Sequence, residues 1–131
     1  METILLIEDN VNNVSLLEDV FQFDDIPARL VIVETGEEAL NRAIEIKPVL
    51  ILMDLRLPGI DGLEATEILK RNPLTKDIPV WAITAYAMKG DEERARAVGC
   101  CEYITKPVPI AELADRLCTF LDQLEQRKVL T

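Results

Sequence analysis

The stretch VLILMDLRLPGIDG, residues 49–62, decides the fold of this chain. Five consecutive apolar residues, 49 to 53, run directly into Asp54, and a Pro-Gly turn follows at residues 58 and 59. A strand whose successive side chains are all apolar is buried on both faces, which is typical of a parallel sheet covered by helices. The stretch therefore predicts a central parallel strand that ends on a charged carboxylate.

Short apolar runs and helical patterns alternate along the rest of the chain. Strands are predicted at residues 3–7, 28–33, 49–53, 79–83 and 102–104. Helices are predicted at residues 10–23, 37–46, 63–70, 89–98 and 110 to about 124. These five strand–helix units predict a doubly wound α/β domain, in which ligands bind outside the carboxyl ends of the strands.

Composition limits the classes of function that fit this chain. It has 131 residues, 49% of them hydrophobic, which predicts a single folded domain. The formal net charge of −10 argues against direct binding of nucleic acid, which depends on clustered positive charge. No apolar run approaches the roughly 20 residues of a membrane span, and no leader precedes the first run. We therefore expect a cytoplasmic protein without a membrane partner.

Cysteine chemistry is not indicated. The three cysteines are Cys100, Cys101 and Cys118, and the sequence contains no C-x-x-C motif and no histidine. Zinc sites and Cys/His catalysis depend on such residues, so ordinary reduced thiols are expected.

Polar residues follow four of the predicted strands. Glu8 and Asp9 come after strand one, Asp54 after strand three, and Thr84 after strand four, while strand five leads to Lys106. Because the carboxyl ends of parallel strands meet at one edge of a sheet, we expect these side chains to converge there.

Simpler interpretations exist for each residue of this group. Glu8, Asp9 and Asn10 also fit the start of a helix, and Asp54 and Lys106 fit charged groups in contact with water. Three carboxylates at one edge repel one another unless a cation is present, however. They form a hard oxygen site suited to Mg²⁺, with Mn²⁺ as an alternative. An aspartate can also attack phosphorus, provided that a metal ion and a lysine neutralise the transferring group.

Four motifs, ILLIEDN, LILMDLRLPGIDG, IPVWAITA and YITKP, occur in this order along the chain. Together they resemble the receiver domain of two-component response regulators, similar in size to the single-domain chemotaxis and cell-polarity types. The resemblance covers nearly the whole chain. It implies a flavodoxin-like sheet of order 2-1-3-4-5 with five flanking helices, a receiver domain at residues 1–126 and a short tail at residues 127–131.

The resemblance also implies roles for the acidic residues. Asp54 matches the phosphoacceptor, Asp9 a direct metal ligand, and Glu8 its acidic neighbour, which commonly acts through water. The backbone carbonyl of Arg56 matches the third protein ligand of the metal.

Three further residues match the family's switch. Thr84 matches the switch hydroxyl, Lys106 the lysine that pairs with phosphate, and Tyr103 the switch aromatic, although Tyr103 also fits plain strand packing. The Lys106–Pro107 peptide bond is expected to be cis. Arg56 and Tyr86, each two residues after a site residue, either obstruct water and set the phosphoryl lifetime or simply lie on the surface.

The function implied is that of a phosphorylation switch. A histidine kinase or a histidine phosphotransfer protein would donate a phosphoryl group to Asp54 with Mg²⁺ bound, the domain itself catalysing this uptake and the later dephosphorylation. A surface made of helix four, strand five and helix five would then bind a downstream protein target.

Three alternatives stay open at this point. The chain is either a stand-alone regulator or a receiver cut from a hybrid histidine kinase. A phosphatase of the haloacid-dehalogenase type also uses a strand-end aspartate, but it would have a second acid where this chain has Arg56. A nucleotide- or flavin-binding module would have a loop rich in glycine or hydroxyls where this chain has EDNVNN.

Overall fold

Strands and helices alternate in the computed structural model, which describes residues 1–85 and 89–130. The strands are β1 (Glu2–Ile7), β2 (Ala28–Val33), β3 (Leu50–Met53), β4 (Val80–Thr84) and β5 (Cys100–Thr105). The helices are α1 (Val11–Phe23), α2 (Gly36–Ile46), α3 (Gly62–Arg71), α4 (Asp91–Val98) and α5 (Ile110–Leu130). Among the described residues, no helix is both long enough and apolar enough to cross a bilayer.

All five strands are parallel and lie in the order β2-β1-β3-β4-β5, which confirms the predicted topology. The strand order reverses at β1 and β3, the two neighbours at the centre of the sheet. Ile7 and Met53 are directly paired, so these two strands end level with each other. The residues that follow them are thereby brought to the same point on the sheet edge.

The strands are buried on both faces because successive side chains enter two different cores. Leu50 and Leu52 of β3 pack on the side of α1 and α5, and Ile51 and Met53 pack on the side of α2, α3 and α4. β1 and β4 alternate in the same way. This two-sided burial explains the uninterrupted apolar run from which the fold was predicted.

Three helices begin with side-chain caps. Asn10 accepts hydrogen bonds from the backbone of Asn12 and Asn13 at the start of α1. Thr35 accepts one from Glu38 in α2, and Asp61 accepts one from Glu64 in α3. A capped first turn leaves fewer backbone donors unpaired, so these helices start at defined positions beside the sheet edge.

Most elements begin and end within two residues of the predicted bounds, and α5 and β5 differ from them for identifiable reasons. α5 continues to Leu130 rather than ending near Leu124, and the Lys128 ammonium contacts the Glu2 carboxylate at 2.5 Å. The side chains of this last part are mostly exposed, so they lack the apolar periodicity on which the prediction depends. The division between a domain at 1–126 and a tail at 127–131 stays a prediction.

β5 begins two residues earlier than predicted because its pairing with β4 is irregular. Cys100 pairs with Val80 and Glu102 pairs with Trp81, so Cys101 is an extra residue in the ladder. Such a bulge breaks the alternation of side chains that identifies a strand in sequence.

The loop after β3 ends close to where it begins, because Gly62, the first residue of α3, contacts Leu55. The Gly62 amide donates a hydrogen bond to the carbonyl oxygen of Leu55 at 3.1 Å. A Cβ at Gly62 would lie 2.6 Å from the Cα of Leu55 and would also collide with the carbonyl oxygen of Asp54. Only glycine therefore allows α3 to start this close to the end of β3.

We predict that Gly62→Ala lowers the free energy of unfolding by about 1–3 kcal/mol, because backbone atoms must move to admit the methyl group. Gly90→Ala is the matched control. Gly90 has a φ of 93°, and among the described residues no atom beyond its chain neighbours lies within 4 Å of an added Cβ, so only backbone strain of about 1 kcal/mol is expected there. Urea unfolding measures the free energy of unfolding of both variants. A loss for Gly62→Ala no larger than that for Gly90→Ala would contradict the prediction, because it would show that the loop accommodates the methyl group without strain.

Candidate functional site

Three acidic side chains meet where β1 and β3 end. Glu8 follows β1 and Asp54 follows β3, and their exposed fractions are only 2% and 4%. Asp9 lies beside them and is exposed. One carboxylate oxygen from each of the three lies within 4.8 Å of the others. The convergence expected from the sequence is therefore present in the structure.

Lys106 joins the two buried acids. Its Nζ donates a hydrogen bond to Glu8 Oε1 at 2.7 Å and to Asp54 Oδ2 at 2.9 Å. The backbone amide of Lys106 donates to the carbonyl oxygen of Thr84 at 2.8 Å, which fixes the chain just after β5. One ammonium group thus contacts residues that are 98 and 52 positions away in sequence.

Burial sets the protonation of this cluster. It raises the pKa of Glu8 to about 7, the Asp54 carboxylate adds to the shift, and Lys106 opposes it. Burial also disfavours the charged form of Lys106, but its hydrogen bonds to the two acids outweigh this and raise its pKa. The lysine therefore stays charged at neutral pH, while the acids carry more negative charge than one lysine balances.

The carboxylate of Asp54 is held from a second side by its own loop. Its Oδ1 accepts a hydrogen bond from the backbone amide of Arg56 at 2.9 Å. The backbone amide of Asp54 donates to the carbonyl oxygen of Ile7 at 3.0 Å. Since each oxygen of Asp54 has a fixed donor, the orientation of the carboxylate is well defined.

The two interpretations of the segment Glu8-Asp9-Asn10 apply to different residues. Asn10 is the cap of α1, and its backbone amide also donates to Glu8 Oε2 at 3.3 Å. Glu8 itself points to Lys106 and the acidic cluster, not to the helix. The cap thus orients one of the site carboxylates.

Thr84 and Tyr103 lie on neighbouring strands beside the cluster. Thr84, the last residue of β4, is fully buried. Tyr103 pairs in register with Ala82, two residues before Thr84, and is half-buried against the core on the α4 side. Burial raises the pKa of its phenol, and the charges of Asp91 and Glu92 on α4 add to this.

The remaining predictions concern the Lys106–Pro107 bond, Arg56, Tyr86 and the cysteines. The Lys106–Pro107 bond is cis, as the resemblance implies. Arg56 is exposed beside Asp54, and Tyr86 lies outside the described residues. Cys100, Cys101 and Cys118 are free thiols. Burial raises the pKa of Cys100 and of Cys118, as expected of unreactive thiols.

The cluster has the chemistry of a magnesium site. Its donors are carboxylate oxygens, they are close enough to share one ion, and their excess negative charge favours a divalent cation. Glu8, Asp9 and Asp54 are the side chains that would hold it.

Two residues that shape the site were not predicted from the sequence. Gly62 permits the tight return of the loop, and Glu37 accepts a hydrogen bond from the backbone amide of Ile60 in the same loop. Glu37 is one of two acids in the first turn of α2, where acids are common for reasons of helix polarity alone. No pattern in the sequence distinguishes it from its neighbour.

Known proteins share both the fold and the sequence of this chain. The family model of the response regulator receiver domain matches residues 4–118. Polar-differentiation response regulator DivK of Brucella anthropi is 41% identical over 123 residues, which cover 92% of this chain and 96% of that protein.

Solved structures agree. The receiver domain of sensor histidine kinase PA1611 from Pseudomonas aeruginosa PAO1, with a magnesium ion coordinated in its active site cleft, is 34% identical. It has a TM-score of 0.79 and covers 88% of this chain and 93% of its own. The receiver domain of a DNA binding response regulator from Colwellia psychrerythraea 34H has the same fold, with a TM-score of 0.85 at 24% identity over 93% of this chain and 99% of its own. With these motifs in this fold, the chain belongs to the family of response regulator receiver domains.

Proposed function

We propose that Asp54 accepts a phosphoryl group from a phosphohistidine, presented by a histidine kinase or a histidine phosphotransfer protein in the cytoplasm. The observation that carries this proposal is the arrangement of Asp54 itself. Its carboxylate is buried at a strand end and oriented by Lys106 and by the Arg56 amide, with two further acids beside it. A nucleophile held in this way needs little reorganisation before it attacks.

In the transfer, an oxygen of Asp54 forms a bond to phosphorus while the bond from phosphorus to the imidazole nitrogen breaks. The imidazole leaves with the electron pair, and the product is an acyl phosphate on Asp54. Mg²⁺, bound by the acidic cluster and the Arg56 carbonyl, would neutralise charge on the transferring group. Lys106 already lies beside Asp54 and provides a second positive charge for the phosphoryl oxygens.

We infer that phosphorylation then changes the surface formed by α4, β5 and α5. The new phosphoryl oxygens would take a hydrogen bond from the Thr84 hydroxyl, and Tyr103 would turn inward into the space that Thr84 leaves. A local change in charge would thus select one of two arrangements of a protein-binding surface. The relatives support the proposed phosphoryl transfer to Asp54, because one is named a response regulator and another carries magnesium in its active site cleft.

The direct test is phosphorylation of the Asp54→Asn variant with acetyl phosphate and Mg²⁺. Asparagine keeps the shape of the side chain but is not a nucleophile toward phosphorus, so we expect no gain of phosphoryl mass on this variant. Asp61→Asn is the matched control from the same loop, because asparagine caps a helix about as well as aspartate. The Asp61→Asn variant should take up phosphate like the wild type. Removal of Mg²⁺ with EDTA should abolish uptake in this variant and in the wild type.

Equal uptake of phosphate by the Asp54→Asn variant and the wild type, seen by intact-protein mass spectrometry, would refute the assignment of Asp54. Uptake that persists in EDTA would refute the role of the metal.

Arg56 gives a separate prediction about the lifetime of the acyl phosphate. Its exposed side chain lies two residues after Asp54, where it can obstruct an attacking water molecule. We expect Arg56→Ala to shorten the half-life of the phosphorylated protein severalfold. Arg71→Ala, which removes an exposed arginine of α3, should leave the half-life unchanged. Decay is measured as the loss of phosphoryl mass over time. An unchanged half-life in the Arg56→Ala variant would contradict this prediction.

A further inference from the structure

Glu37, in the first turn of α2, contacts the β3–α3 loop, defined here as residues 55–61. Its Oε1 accepts a hydrogen bond from the backbone amide of Ile60 at 2.8 Å, across 23 positions of sequence. The adjacent Gly59 lies so close that a Cβ there would collide with the Glu37 carboxylate, and its φ of 76° is one that glycine adopts readily. The carboxylate is therefore packed against two consecutive residues at the turn of the loop.

The first turn of α2 is itself firmly placed. The Thr35 hydroxyl accepts a hydrogen bond from the backbone of Glu38 at 3.3 Å and donates one to its carboxylate at 2.9 Å. Gly36 is buried, and a Cβ there would lie 2.8 Å from Cγ1 of Ile60. Since this turn is capped and closely packed, Glu37 connects the loop to a fixed part of the domain.

The loop that Glu37 contacts carries Arg56. The amide of Arg56 donates to Asp54, and its carbonyl belongs to the group of proposed metal ligands. The two ends of the loop are tied at Asp54 and at Gly62 by backbone hydrogen bonds, whereas its turn, at Gly59 and Ile60, is contacted by Glu37. The contact with Glu37 restrains that turn, and a restrained turn limits the positions available to the Arg56 carbonyl.

We propose that Glu37 is a positioning residue for the metal site, acting through the loop on the affinity for Mg²⁺. This inference rests on the proposed function, because it assumes that the Arg56 carbonyl binds the metal. Groups that orient metal ligands without touching the ion commonly contribute to affinity.

A different role has to be separated from this one. Glu37 and Glu38 both lie in the first turn of α2, where either acid stabilises the positive end of the helix. Only Glu37 reaches Ile60, whereas Glu38 contacts Thr35 in the cap. The hydrogen bond from Ile60 also lowers the pKa of Glu37, so the acceptor is ionised at neutral pH. The two neighbours therefore form a natural pair of test and control.

The experiment measures Mg²⁺ binding by isothermal titration calorimetry and hydrogen exchange at the Ile60 amide. We expect Glu37→Ala to raise the Mg²⁺ dissociation constant about 10-fold, the lower end of the range for groups that orient metal ligands, and to speed hydrogen exchange at the Ile60 amide. Glu37→Ser, which is also too short to reach Ile60, should behave alike. Glu37→Gln keeps an oxygen acceptor and should stay within about twofold of the wild type, as should Glu38→Ala, whose effect falls on the helix cap.

A Glu37→Ala dissociation constant within about twofold of the wild type would overturn the inference, as would an equal increase in Glu38→Ala. The wild type separates this failure from that of the proposed function. If the wild type binds Mg²⁺ and takes up phosphate on Asp54 while Glu37→Ala binds equally well, only the positioning role is wrong. If the wild type binds no Mg²⁺, the proposed function fails and the positioning role fails with it.

Discussion

The ammonium group of Lys106 lies between the carboxylates of Glu8 and Asp54, and all three side chains are largely withdrawn from water. Removing one partner from a buried set of charges typically costs about 3–5 kcal/mol, because the others are left uncompensated. The three side chains follow β1, β3 and β5, so they can meet only if the ends of these strands lie at one edge of the sheet. The order and register of the strands, together with the two cores on either side, satisfy that requirement.

The same contact explains why the site favours a further cation. A single lysine does not balance the acidic cluster, so a further cation at the oxygens of Glu8, Asp9 and Asp54 improves the local charge balance. The caps and turns around the site then define its shape. Asn10 orients Glu8, and the return of the loop at Gly62 keeps Asp54 close to the start of α3.

Much of this arrangement could be predicted from the sequence because it depends on local patterns. The apolar run before Asp54 indicated a buried parallel strand, and the polar residues after each run indicated where the site lies. The details that were not predicted depend on contacts distant in sequence. In the sequence, Glu37 has the features of an ordinary acid in the first turn of a helix, and only the folded chain brings the Ile60 amide to it. The extra residue at Cys101 is likewise defined only by the pairing of β5 with β4.

The position of β5 at the edge of the sheet has a consequence of its own. α4 packs in the layer with α2 and α3, and α5 packs in the opposite layer with α1. In that opposite layer the rings of Trp81 and Phe120 contact edge to face, with their centroids 5.7 Å apart. At this edge the two layers come to the surface side by side, separated by a single strand. A protein that bound there would contact both layers at once, so its affinity would depend on how the two layers are placed relative to each other.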